Sequence, residues 1–453
     1  MENLTDSIAS FVKRTKFEDL PKDIVHKTKL HIIDTIGAIF AGSETPLCIL
    51  LKRYASNSEK LRESTIIASG LKTSSPTAAL INGVAAHSLE IDDGHRYCGC
   101  HPGTVVIPAA LAIGEKEGVS GKKLILAVCL GYGIMVRIGH AINPSHLSRG
   151  FHTTGTAGVF GASIAASKIM NLSKDEIRYA MGIAGIQSSG LLEVVNTGQM
   201  VKPLIPGKAA QSGVLSAMLS KDGIEGPVDI LDGDKGFFRA MAENIRKEVF
   251  YDLGINFEIA NAYFKFYTAC RHIHPSIDAA KDLYQKYREL LNLGNLVKVI
   301  IKTYPVAVNL TGNISKPRNF DEAKFSLMYA VSQALLGKGV YENYEANSFE
   351  MDKNVLELCE KCEVISDPNE GKEYPKKRGS TIEVHLKNGK VLRSCVELPV
   401  GEPENPANDS MIIEKFKKCC YGKKENYEIE RVVSVLLGLE KLKNVRELLE
   451  LVR

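Results

Sequence analysis

No excess of either charge runs through this chain. Fifty-seven basic residues stand against 53 acidic ones, for a net charge of +4, and no basic stripe gathers them. Nucleic acid is therefore not the expected partner, because phosphate backbones are bound by concentrated Lys and Arg. A long apolar run is also missing. The greasiest stretch, residues 124–136, contains two glycines and is shorter than the roughly 20 residues that span a bilayer. It reads as a buried core helix, and no membrane partner is expected. The opening residues MENLTD lack the basic-then-apolar pattern of an export or transit signal, which points to a cytoplasmic protein. Ten cysteines are too sparse for a disulfide framework, and in that compartment they read as reduced thiols. Cys359 and Cys362 have C-x-x-C spacing, yet no second pair completes a zinc template. Neither a phosphate-binding glycine loop nor an internal repeat is present.

What is present is ordinary globular material, 44% apolar and 24% charged, in a chain of 453 residues, long enough for two domains with real cores. Over residues 5–260 apolar positions recur at helical spacing, as at Val25, Thr28, Ile32, Ile36, Ile39 and Phe40, and β signals are nearly absent. The small-residue run AGVFGASIAA at 157–166 predicts interior helices whose backbones approach closely. After Cys270 the character changes. Residues 296–304 (LVKVIIKTY) read as a strand, and residues 381–386 and 390–396 flank Lys387-Asn388-Gly389 as a hairpin. Helical stretches at 278–291 and 320–336 accompany them. The Pro- and Gly-rich connector 399–406 closes this region, and helices follow at 411–420, capped by Asp409 or Ser410, and at 428–450. The expected fold is mainly α. A large all-helical domain is made from 1–264 and 399–453, and a smaller, insertion-like α+β domain from 265–398.

Four segments carry chemistry. Residues 87–103, HSLEIDDGHRYCGCHPG, bring three histidines, three carboxylates and two cysteines together at one helix end, and imidazoles are the side chains suited to proton transfer near neutral pH. His87, Glu90, Asp93, His95, Cys98, Cys100 and His101 could each ligate a metal, but their spacing fits no standard zinc template. In the second segment, 148–155, His152 sits among glycines and hydroxyls where a helix start could hold a carboxylate. The third, 198–210, fixes Lys202 and Lys208 in a Pro- and Gly-punctuated turn suited to clamping an anion. The fourth, 270–275, places Arg271 at the expected domain junction, where a guanidinium could grip a carboxylate in bidentate fashion. At least one of its histidines, His272 and His274, reads as structural.

Together and in this order, these segments resemble the MmgE/PrpD family, which includes 2-methylcitrate dehydratase, cis-aconitate decarboxylase and iminodisuccinate epimerase. The likeness extends from KLHIIDTIG at 29–37 through EAKFSLMY at 322–329 to GEPENP at 401–406. It implies a helical domain built from both chain ends, a smaller α+β lid domain, a homodimer, and catalysis with neither metal nor organic cofactor. Carried over by position, it implies catalytic roles for Glu90, His101, His152, Lys202 and Tyr329. His274 falls on the histidine of the family's junction motif, leaving His272 as the structural one. Asp93, His95, Lys208 and Arg271 complete the expected substrate contacts. Two positions depart from the family pattern: Glu90 stands where an aspartate is usual, and Gly94 where a threonine is common. The expected activity is proton abstraction alpha to a carboxylate of a small di- or tricarboxylate, with dehydration as in 2-methylcitrate dehydratase first. Epimerisation, racemisation or decarboxylation of a related acid is the alternative, and a metal-dependent hydrolase built on the 87–101 cluster is the alternative class.

Overall fold

The computed structural model describes residues 3–197, 200–339 and 351–453. The chain is mainly α-helical with only small sheets. Its contacts divide it into two units. One comprises Met1–Ser88, Asp92–Ala262 and Asn408–Arg453, the other Leu89–Ile91 and Tyr263–Ala407.

The larger unit is built on α1 (Lys22–Gly42), β1 (Ser64–Ile66), β2 (Leu71–Thr73), α2 (Ser75–His87), α3 (Gly103–Glu117), α4 (Gly121–Ile142), α5 (Gly158–Ile169) and α6 (Leu204–Lys221). Helix α5 packs among α3, α4 and α6, while α2 lies against α1, α3 and α6. Small residues make these crossings close. A Cβ on Gly161 would sit 2.9 Å from the Gly131 carbonyl, and one on Gly131 would sit 2.8 Å from the Gly161 carbonyl, so α4 and α5 meet backbone to backbone. Helix α4 is 22 residues long and apolar enough by length and composition to cross a bilayer, but most of its apolar window is buried inside the protein. Its side chains form part of the core.

The expectation that this unit is all-helical is corrected by a small sheet. Strands β1 and β2 pair antiparallel, Ser64 opposite Thr73, around a turn in which Ala68 and Gly70 both take positive φ. The β-branched run Ser64-Thr65-Ile66 is the signal, short enough to be lost beside the surrounding helices. The chain's last helices return to this unit. Phe416 of the helix Asp409–Cys420 packs edge-on against Phe40, and Lys415 Nζ lies 2.5 Å from Asp34 Oδ1. That helix is capped by Asn408, whose side chain accepts from the Met411 N–H, rather than by Asp409 or Ser410. The expected helix over 428–450 is interrupted: it runs Asn426–Leu437, breaks at Gly438 and resumes at Arg446–Val452.

The smaller unit holds α7 (His274–Tyr287), β3 (Leu296–Thr303), α8 (Leu327–Leu335), β4 (Cys362–Ser366), β5 (Ser380–Leu386) and β6 (Val391–Val396). The sheet order is β4-β3-β5-β6, with β4 parallel to β3 and the other pairs antiparallel. The hairpin turns at Gly389, φ +83°. Facing pairs Val299–Val384 and Ile301–Ile382 share one core with Ile277, Leu283, Leu327 and Val331 of the helices. Each such aliphatic side chain contributes about 1.5–3 kcal/mol on burial. Strand β4 begins at Cys362, so the C-x-x-C pair is split between a helix end and a strand start. Both sulfurs lie near the Ser332 hydroxyl, and burial pushes the thiols up to about 11 for Cys359 and about 12 for Cys362.

Candidate active site

His87 is the last residue of α2, and His101 precedes the first turn of α3. The fifteen residues from one to the other therefore form a loop pinned between two buried helix ends. In that loop the adjacent carboxylates of Asp92 and Asp93, both fully buried, have different partners. Asp92 Oδ2 lies 3.0 Å from His87 Nδ1 and 2.8 Å from His101 Nδ1. Asp93 is held by other groups. The Gly103 N–H donates to its Oδ1 at 2.9 Å, the Tyr132 hydroxyl donates to its Oδ2 at 2.7 Å, and His31 Nδ1 lies 2.9 Å from the same oxygen. Burial drives the Tyr132 hydroxyl well above its ordinary range, and the charge of Asp93 adds to this. Asp93 is thus an internal anchor that ties the loop to α1, α3 and α4.

Three imidazoles gather beside Asp92. The His87 and His101 ring centroids are 4.7 Å apart, and His152 lies 6.4 Å from each, its ring nearly parallel to that of His101. Lys202 joins them with Nζ 2.6 Å from His87 Nε2. The side chain of His101 is 16% exposed, whereas those of His87 and Asp92 are wholly buried, so His101 is the member of this trio that an incoming molecule can meet. The threonines after His152 are used internally: Thr154 Oγ1 accepts from the His101 N–H at 3.2 Å, Thr153 Oγ1 accepts from the Asn143 amide at 3.1 Å, and Thr156 Oγ1 lies 2.7 Å from His146 Nε2. They hold the segment in place rather than presenting a carboxylate cradle.

The tautomers follow from these neighbours. His101 Nδ1 is 2.8 Å from the Asp93 carbonyl as well as from Asp92. Among the described residues two acceptors face it, so Nδ1 carries the proton and Nε2 carries the lone pair. His87 Nδ1 likewise donates to Asp92, and its Nε2 accepts from the Lys202 ammonium.

Other expected site residues lie elsewhere. His95 is buried with Nε2 3.6 Å from Glu258 Oε2. Burial would raise the Glu258 carboxyl, but the nearby His95 and Arg137 outweigh it and hold the group at about 2. Because this folded value lies below the usual 4.5, the pair's stabilisation is present above that ordinary value and is lost as pH falls towards the folded one. Glu258→Gln should cost about 3 kcal/mol at pH 7 and flatten the acid limb of a denaturation profile measured from pH 6 to 2.5. An unchanged limb would refute the pairing. Lys208 is exposed and bonds Gln211 on its own helix, so it is a solvated face of α6. Gly198 and Gln199, the start of that lysine segment, lie outside the described residues.

In the smaller unit, Glu90 takes a left-handed backbone (φ +55°), rare for a residue with a Cβ. It is buried, with Oε2 3.3 Å from Lys265 Nζ. Arg271 does grip a carboxylate with two nitrogens, but it is Glu402, at 3.1 and 3.0 Å. The guanidinium also donates to the Phe264 and Val400 carbonyls. His274 has both ring nitrogens engaged, Nδ1 with Arg271 and Nε2 with the Ala269 carbonyl. Tyr329 is buried beside Val355 and Cys359, its hydroxyl accepts from the Asp352 N–H, and burial pushes it up to about 12. Within the larger unit's cluster, Asp92 and His87, the latter considered from sequence only as a metal ligand, are the members that sequence reasoning did not select as catalytic or substrate-binding residues.

The donor atoms of His87, Asp92 and His101 lie within 4.8 Å of one another and could in principle share a cation. Both Nδ1 atoms, however, already direct their protons at one oxygen of Asp92, and an ammonium stands at His87 Nε2, so a cation would have to displace all three. One part of the loop departs from its sequence reading: Cys98 and Cys100 are joined as a disulfide, while the other eight cysteines are free thiols. Gly99, φ +61°, turns the chain so that the two Cα atoms come within 5.3 Å, a separation a disulfide can bridge.

A cis-aconitate decarboxylase of Aspergillus terreus is 25% identical, the alignment covering 99% of this chain and 95% of that one. The human cis-aconitate decarboxylase is 26% identical over 100% of this chain and 95% of its own, and the mouse protein is 25% identical over 100% and 94%. The MmgE/PrpD N-terminal domain matches residues 6–248 and the MmgE/PrpD C-terminal domain residues 267–436, so this chain belongs to the MmgE/PrpD family.

Proposed function

We propose that this protein is a lyase that acts, without a cofactor, on a small di- or tricarboxylate by removing a proton alpha to a carboxylate, with dehydration as the reaction. The observation that carries this reading is His101. Its Nδ1 is held by two oxygen acceptors, which leaves Nε2 as a general base on the partly exposed edge of the cluster. His101 Nε2 takes the proton from carbon, the C–H electron pair forms the double bond, and the C–O bond breaks. His152 donates a proton so that hydroxide leaves as water. Lys202 neutralises a substrate carboxylate, which stabilises the negative charge that builds up as the proton departs.

The names of the relatives support a second reading, decarboxylation. In that case a C–C bond to a carboxylate breaks, carbon dioxide leaves, and an acid of the cluster protonates the resulting carbanion.

Proton NMR in deuterated water with citrate-like, malate-like, aconitate-like and amino dicarboxylates separates these outcomes. Dehydration removes an alpha-proton signal and creates a vinyl signal. Release of carbon dioxide with deuterium incorporated at carbon would establish the second reading instead. Exchange without a new product would mean epimerisation, and a silent panel would overturn the substrate class.

A further inference from the structure

A chain of contacts, Lys202 to His87 to Asp92 to His101, runs through the larger unit. It looks like a proton wire, but it cannot conduct. A lysine ammonium only donates, so His87 Nε2 must accept and the His87 proton sits on Nδ1, aimed at Asp92. His101 aims its own Nδ1 proton at the same oxygen. A proton pushed onto Asp92 from His101 would find His87 Nδ1 already occupied, so nothing passes along.

We propose that His87 and Asp92 are positioning residues with separate tasks: His87 aims the Lys202 ammonium at the substrate carboxylate, and Asp92 orients His101 and stabilises its imidazolium. This rests on the proposed function for its kinetic consequences, but the tautomers it requires do not. His87, though an imidazole in the centre of the cluster, is therefore not an acid or a base in the reaction. The wholly buried His87 and Asp92 cannot reach a substrate that His101 can, which agrees with roles exerted through their neighbours.

Two variants divide the tasks. His87→Ala removes the acceptor that aims Lys202 and should raise KM roughly tenfold to a hundredfold, the worth of a hydrogen bond to a charged group, with kcat changed much less. His87→Gln places an amide oxygen near the former Nε2 position and should recover most of that loss, whereas His87→Asn, too short to reach, should not. Asp92→Asn keeps the shape but loses the charge opposite His101. It should lower kcat by about 10²–10³, move the acid limb of the kcat/KM profile to lower pH because the anion that favours the imidazolium is gone, and leave KM nearly as it was. The reverse pattern, with His87→Ala acting on kcat and Asp92→Asn on KM, overturns the assignment.

The second measurement needs no substrate. Two-bond proton–nitrogen correlation spectra of the ring-labelled, ligand-free protein should show both His87 and His101 protonated at Nδ1. An Nε2–H tautomer at either overturns the proposal, even if the enzyme proves to be a dehydratase. Correct tautomers in a protein that turns over no carboxylate would overturn the proposed function and leave this arrangement standing.

Discussion

His101→Asn should lower kcat by about 10²–10⁴, the span associated with loss of a positioned general base, while leaving the fold intact. The side chain is at the edge of the cluster rather than within it, and its contacts are the Asp93 carbonyl and Asp92. Asparagine can still direct an amide N–H towards those acceptors, but it has no second nitrogen to receive a proton from carbon. Rates would be followed by the NMR assay, with circular dichroism as the check on folding. His152→Asn should fall by less, because water can partly replace an acid that assists a leaving hydroxyl. A loss under tenfold at His101 would mean that the base is another group.

Asp93→Ala should act on stability, by about 3–5 kcal/mol. The substitution strands the Gly103 N–H, the Tyr132 hydroxyl and His31 in a dry interior with no acceptor, and a buried donor left unmade costs its full desolvation. Asp93→Asn should cost less, since one amide oxygen can still receive the Gly103 N–H. Urea denaturation measures both. Had Asp93 been a substrate ligand, the variant would fold normally and bind poorly; a loss under 1 kcal/mol with a raised KM would restore that reading and remove the anchor proposed from its contacts.

The contrast between Asp92 and Asp93 shows where the sequence is informative and where it stops. The density of imidazoles and carboxylates over 87–103 marks the cluster, and the order of the four segments marks the family. But two neighbouring aspartates look alike in a string of letters, and only the backbone turn decides that one side chain meets His87 and His101 while the next meets Tyr132 and His31. Arg271 was legible as a carboxylate-gripping side chain. That its carboxylate is Glu402, 131 residues on, is a long-range fact that local pattern does not contain. Lys208 and Lys202 stand six positions apart; the first lies on the solvent face of α6, while the second, in the turn before that helix, meets His87. The same limit applies to the fold. The Asn-Gly hairpin and the strand at 296–303 announce themselves locally. Strand β4 does not: the turn residues Asp367-Pro368-Asn369 follow it, but Cys362–Ser366 is only five residues long, and its parallel pairing with β3 is decided by contacts remote in sequence. Glu90 and Tyr329 show the reach of family likeness, which names positions but not the partners that surround them.

The return of Asn408–Arg453 to the larger unit also sets an order of events during synthesis. Asp34 emerges from the ribosome early, yet the ammonium that compensates its buried carboxylate belongs to Lys415, 381 residues later. Burial is the main influence raising the Asp34 carboxyl to about 6, and Lys415 opposes it. Until the last helices are made, the nascent larger unit therefore lacks the Lys415 ammonium and has an open seam along α1 where Phe416 will later pack. The segment Tyr263–Ala407, with its own sheet and core, is complete sooner and can fold while the larger unit waits. Such distant closure makes for slow final assembly and a long-lived partly folded chain. Stalling translation just before residue 408 should trap that species, in which most helices have formed but the unit built from both ends of the chain is still open.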